Sequence, residues 1–212
     1  MPAHRHNAVV WKNRIKLATG TEMSEDKKFN PAKRKKLNNP TRLQWIPPQK
    51  IEALLEMQEK GVYLDIGAGT GYISREVASK VPDALIHALD IEPLMVEEME
   101  RSMGNGSLLP QLMERDVLSF GDASVDGIWS ITVFHELGDP IPLLREIRRV
   151  LLPGGRLLIV DWEKKVEACE QGPPLEHRVF AEDVVRVLRK TGFSDVQEVA
   201  GFTHHFGVLA GN

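Results

Sequence analysis

The chain is predicted to fold as a three-layer, Rossmann-like α/β domain on a mostly parallel sheet, with an antiparallel strand at its C-terminal end. Short apolar runs alternate with segments whose apolar residues recur at helical spacing, as right-handed crossover units require. A glycine turn, "GAGTG", joins the first such run directly to a helical segment. The last two strand-like pieces, "FSDVQEVA" and "FTHHFGVLAG", have no helix between them, so they can pair antiparallel at one end of the sheet.

In chain order, "WIPPQKIEALLEMQEKG" opens on proline, presents Ile51, Leu54 and Leu55 on one face, and is expected to stop at Gly61. "VYLDI" is the first strand, and in "YISREVASKV" the residues Ile73, Val77 and Val81 repeat at helical spacing. "ALIHALD" is the second strand and "EPLMVEEMERSM" the next helix, broken by "GNGS". "LLPQLMER" reads as a third strand that Pro110 should make irregular or late. "DGIWSITV" is the fourth strand and "DPIPLLREIRRVL" its helix. "LPGGRLLIVDW" turns into a fifth, strongly apolar strand, and a less regular stretch, 163–180, leads to the helix "AEDVVRVLRKTG".

Composition bounds the possibilities. With 212 residues the chain can build one sizeable core and little more. The single cysteine, Cys169, rules out an internal disulfide framework and a thiolate metal cluster, and no metal is expected. No apolar run reaches membrane-span length, and the N-terminus lacks the apolar core of a secretory signal, so a cytoplasmic protein is expected. Charge is unevenly placed. Residues 1–42 carry eleven Lys or Arg against three acids, whereas the rest carries sixteen against twenty-seven. Residues 1–42 are therefore read as a basic, flexible leader and 43–212 as the folded domain, with Met23 an alternative start.

The glycines decide the ligand class. A strand, a glycine turn and a helix start leave backbone donors exposed and allow close approach. Asp90, nineteen residues beyond Gly71 at the next strand end, can accept both hydroxyls of a ribose. A dinucleotide fingerprint, G-x-G-x-x-G, wants its third glycine where Tyr72 stands; the glycine comes one residue early, at Gly71. No Gly-Lys-Ser or Gly-Lys-Thr follows, so a phosphate-binding P-loop fails too.

With "LDIGAGTG", "ALDIEPLMVEEM", "ERDVLSFGDASVDGIWS" and "REIRRVLLPGGRLLIVDW" in that order, the chain resembles the class I S-adenosylmethionine-dependent methyltransferases, in particular their small-molecule, type 11-like branch. The resemblance spans about 45–209 and implies S-adenosylmethionine as cofactor. It places Asp65 and the backbone of Gly67, Ala68, Gly69 and Gly71 around the methionine portion, and Asp90 on the ribose. Ile91 and Met95 would flank the adenine, and Asp116 with Val117 would meet its edge.

On the acceptor side, the fourth strand runs into "TVFHELGD", so His135 and Glu136 are the candidate catalytic pair beyond its carboxyl end. Trp45, Tyr72, Trp162 and His177 are candidate acceptor contacts, the last within a segment able to act as a lid. His204 and His205 would face opposite ways in a strand. Methyl transfer to an unidentified small molecule, by positioning and water exclusion, is the leading function. A nonenzymatic nucleoside-binding or nucleic-acid-interacting protein is the alternative, motivated by the basic leader, with a dinucleotide oxidoreductase behind it. The oligomeric state is not readable from the residues.

Overall fold

The computed structural model describes residues 30–102, 107–165 and 172–212. Cys169, Met23 and the leader before residue 30 lie outside them. A 3-10 helix, Pro31–Asn38, precedes two short helices, α1 (Thr41–Trp45) and α2 (Pro48–Leu55). Then β1 (Val62–Ile66), α3 (Tyr72–Ala78), β2 (Leu85–Asp90), α4 (Pro93–Ser102) and β3 (Leu108–Leu112) form two crossover units. They are followed by β4 (Val125–Ile131), α5 (Ile141–Val150), β5 (Leu151–Trp162), α6 (Ala181–Lys190), β6 (Ser194–Val199) and β7 (His205–Gly211).

The seven strands lie in the order β3-β2-β1-β4-β5-β7-β6. Only β7 runs against the others, pairing antiparallel with both β5 and β6. Side chains alternate across the sheet, so Tyr63 and Leu64 enter different cores. One core collects Ile51 and Leu55 of α2, Ile73 and Val77 of α3, and Met99 of α4 around Tyr63, Trp129 and Val160. The other joins Leu143, Leu144, Ile147 and Val150 of α5 and Val184 and Leu188 of α6 to Leu64, Ile159 and Val208. Those α5 side chains recur at i, i+1, i+4 and i+7, the stripe that lays a helix on a sheet.

Several expectations shift. α2 ends at Glu56, which takes left-handed backbone at φ 50°, rather than at Gly61. β3 starts at Leu108 and runs straight through Pro110, opposite Ala88. It is an edge strand, and there a missing N–H breaks no second ladder. β7 begins at His205, while His204 stands before it with φ 62°, so the opposite-facing expectation for the two histidines does not apply. The anticipated boundary at 42/43 falls inside α1.

Candidate functional site

β1 ends in the loop that defines the site. Gly67 and Ala68 both donate backbone N–H to Leu89 O, at 2.8 and 2.9 Å, which ties the loop to the end of β2. Gly67 has φ +73°, and a Cβ there would come within 2.3 Å of Val133 Cγ2, so only glycine fits. Gly71, at φ +68°, turns the chain into α3 and packs on Met99 rather than lining the cleft.

Asp65 is buried at the mouth of this loop and accepts a 2.6 Å hydrogen bond from Ser74 Oγ. Burial raises its pKa to about 7, against the Ser74 hydroxyl, the Trp129 indole and the more distant Arg42, all of which favour the carboxylate. Asp90 holds the far side of the loop. Its Oδ2 accepts from Gly69 N at 2.8 Å and its Oδ1 from Glu92 N at 2.9 Å. Burial raises the Asp90 pKa as well, with those amides pulling it back.

A cleft of roughly 1120 Å³, counting its open mouth, follows the loop. Asp65, Gly67, Ala68, Gly69, Asp90, Ile91 and Met95 all line it. Asp116 and Val117 do not; past β3 the turn closed by the Glu114–Val117 bridge turns Met113 and Arg115 to the cleft instead. Val117 is 49% exposed.

The wall the sequence did not reveal comes from the stretch assigned to the leader. Leu37 and Arg42 line the cleft opposite Asp65, and Thr70 Oγ1 bonds Asn38 to the loop. Arg34 pairs with Glu98 of α4 and helps pin this segment. The Arg42 guanidinium donates to Leu37 O at 2.8 Å and no salt bridge joins it to a carboxylate among the described residues. Desolvation lowers its pKa to about 10, opposed by the pull of Asp65 and Tyr72. A run of lysines around Leu37 made these residues look like a solvated face; the apolar Leu37 amid the charges was the available signal.

Beyond β4, Thr132 takes left-handed backbone at φ 57° and faces the cleft, an unusual conformation for a β-branched residue. Glu136 lines the cleft, and His135 stands behind it, 7% exposed, with Nε2 3.9 Å from Glu136 Oε1. The His135 ring is fixed by Asp161 of β5. Nδ1 lies 2.8 Å from Asp161 Oδ1, and the His135 backbone N–H donates to Oδ2 at 2.9 Å. Donation from Nδ1 to Asp161 leaves Nε2 with the lone pair when the ring is neutral. Burial opposes protonation of His135, but Asp161 and Glu136 outweigh it and hold the pKa above the ordinary histidine value.

Trp45 and Trp162 come together, ring centroids 6.3 Å apart, beside the cleft rather than in its wall. Tyr72 is half-buried at the start of α3 with Arg75 over its ring, and His177 sits in a 3-10 helix after Pro174; neither lines the cleft. Among the described residues no three His, Cys, Asp or Glu side chains are grouped to hold a metal, and no helix is long and apolar enough to cross a membrane.

A sheet with one reversed strand, and a glycine cleft flanked by an acid on β1 and another on β2, mark a nucleoside-binding α/β fold. Comparison with known proteins gives the family. Residues 64–159 match the family described as "Methyltransferase domain". A SAM-dependent methyltransferase from Aquifex aeolicus is 30% identical, with a TM-score of 0.80 over 87% of this chain and 99% of that one. The O-methyltransferase cnsE of Penicillium expansum is 32% identical over 150 residues, 64% of this chain and 54% of that protein. The demethylmenaquinone methyltransferase of Thermotoga maritima is 34% identical over 111 residues, 52% of this chain and 47% of that protein. The chain belongs to the S-adenosylmethionine-dependent methyltransferases. It spans about half the length of these curated relatives.

The residues fit that cofactor. Asp65 and Arg42 bring an acid and a guanidinium to one cleft with no salt bridge between them, which complements the ammonium and carboxylate of an amino acid. Asp90 keeps lone pairs for a diol beyond its two amide bonds.

Proposed function

We propose that the protein transfers a methyl group from S-adenosylmethionine to a small-molecule acceptor, in the cytoplasm. The observation that carries this reading is the pairing of Asp65 with Arg42 across one cleft that continues to Asp90. Bound there, S-adenosylmethionine supplies a methyl group made electrophilic by its sulfonium. Asp65 takes the ammonium, Arg42 the carboxylate, and Asp90 the ribose hydroxyls, while Ile91 and Met95 cover the adenine with Met113 and Arg115 at its edge. Asp116 and Val117 support that edge from behind.

An in-line displacement needs alignment and a dry site more than it needs a base. Leu37, Val133, Leu137 and Leu143 supply an apolar wall. For an acceptor that keeps its proton at neutral pH, His135 Nε2 receives that proton, positioned by Asp161, with Glu136 between it and the cleft. The relatives' names, an O-methyltransferase and a demethylmenaquinone methyltransferase, support a small-molecule acceptor. The catalytic unit is residues 43–212, completed by the cleft wall of 30–42.

Calorimetry with S-adenosylhomocysteine tests the cofactor half, and methyl transfer to a pool of hydroxylated and amine-bearing small molecules tests the rest. Micromolar binding with label moving to one acceptor class is expected. No binding by folded protein overturns the reading.

A further inference from the structure

Six non-glycine residues among those described hold left-handed backbone: Glu56, Lys60, Ala123, Thr132, Asp195 and His204. Only Thr132 is β-branched, and only Thr132 lines the cleft. Branching at Cβ makes the conformation costlier there than at the other five.

The turn is held from both ends. Ile131, the last residue of β4, pairs with Val160 of β5, and Thr132 N donates to Val160 O at 2.8 Å. On the far side Val133 packs its Cγ2 against Gly67, and Asp161 Oδ2 accepts from His135 N at 2.9 Å. Contacts on both sides thus enforce a conformation that the residue alone resists. Glycine or asparagine would make the same turn at lower cost. The turn therefore does not account for a threonine, and its side chain must.

The Thr132 hydroxyl has no hydrogen-bond partner among the described residues, yet it is not sealed in the interior as His87 Nδ1, Trp129 Nε1 and His205 Nε2 are. It opens on the cleft, which Thr132 lines beside Val133 and Glu136. In the sheet, β4 lies beside β1 on the side away from β2. With Asp65 at the end of β1 and Asp90 at the end of β2 holding the cofactor, the end of β4 is the wall left for the acceptor. A hydroxyl there can accept a hydrogen bond as well as donate one. The acid Glu136 on the same wall disfavours an anionic partner. The complementary group is a neutral or cationic one that carries N–H or O–H.

We propose that the Thr132 hydroxyl is an acceptor-binding group, taking a hydrogen bond from the reacting N–H or O–H beside the point of methyl transfer. This rests on the methyltransferase reading and gives its acceptor a chemical class: an amine or a hydroxyl compound, not a carboxylate or a phosphate. The left-handed turn aims the hydroxyl, and the branched Cβ restricts the directions it can take.

The test titrates the full chain calorimetrically with S-adenosylhomocysteine and with sinefungin, the cofactor analogue with an amine-bearing carbon in place of the sulfonium and its methyl. Sinefungin offers an N–H donor at the point of transfer, where S-adenosylhomocysteine offers none. The native protein should bind sinefungin about tenfold tighter, the size of one hydrogen bond to a charged group. In Thr132→Val, which keeps the shape and the branching and loses the hydroxyl, that margin should vanish while S-adenosylhomocysteine affinity holds. In Thr132→Ser the margin should survive. No margin in the native protein, a margin untouched in Thr132→Val, or an equal loss in Thr132→Ser overturns the proposal. Should Thr132→Val not fold, Thr132→Ala against Thr132→Ser decides by the same margin. Failure of S-adenosylhomocysteine to bind the native protein strikes the methyltransferase reading; binding without a sinefungin margin strikes the Thr132 assignment alone.

Discussion

Arg42 and Asp65 line the same cleft, yet no salt bridge joins them. An acid and a guanidinium lining one cleft complement the ammonium and carboxylate of an amino acid. Arg42→Ala should weaken S-adenosylhomocysteine binding about ten- to a hundredfold, in line with loss of a charged hydrogen bond. Binding of 5′-methylthioadenosine, which lacks the amino acid, should barely change. Parallel losses for both ligands in calorimetry would refute the clamp.

Asp90→Ala should weaken both ligands together, because it removes the ribose acceptor and frees Gly69 N from its 2.8 Å bond. A folded variant with unchanged affinity would sink the ribose assignment.

The pKa of Asp65, raised by burial to about 7 from an ordinary 3.8, has two consequences of defined sign. The folded chain keeps a proton that the unfolded chain releases. The Asp65 contribution to stability is therefore full below about pH 4 and is lost as pH rises through about 7. A bound ammonium favours the carboxylate, so S-adenosylhomocysteine binding should release protons near pH 6–7. Calorimetry in two buffers of different ionisation enthalpy reads that release directly; identical enthalpies would contradict it.

Asp161→Asn should lower the His135 pKa, since the carboxylate is what raises it against burial. NMR titration of the His135 ring reports the change. Turnover with a hydroxyl acceptor should fall about 10²- to 10⁴-fold if the pair handles a proton, whereas S-adenosylhomocysteine affinity should hold.

Deleting residues 1–22 should leave cofactor affinity unchanged, while deleting 1–42 should abolish it by removing Leu37 and Arg42 from the cleft wall. Equal affinity for both truncations would show that the wall is dispensable.

The alternation of strands and helices, the antiparallel C-terminal strand and the Asp65–glycine–Asp90 path were legible in the sequence because each rests on local rules: periodicity, glycine spacing, and an acid at a strand end. Periodicity misplaced the end of α2, where the tertiary contact of Met57 favours a left-handed Glu56 over a distant glycine. Arg42 was hidden for a different reason. A charge run has no periodicity, and what brings it back across the glycine loop is a set of contacts between distant residues, Arg34 with Glu98 and Asn38 with Thr70. The surroundings of His205 were equally opaque, since they consist of a strand partner, Trp162, and a carbonyl, Thr203 O, that no spacing announces.

Arg42 and Trp45 stand three positions apart on α1, which makes them neighbours on one helical turn. One reaches the cofactor cleft and the other packs edge-on against Trp162 at the end of β5. A five-residue helix cannot lift at one end and stay seated at the other. Filling of the cofactor cleft and the seating of Trp45 on β5 are thereby linked, and whatever factor one lends the other applies equally in reverse.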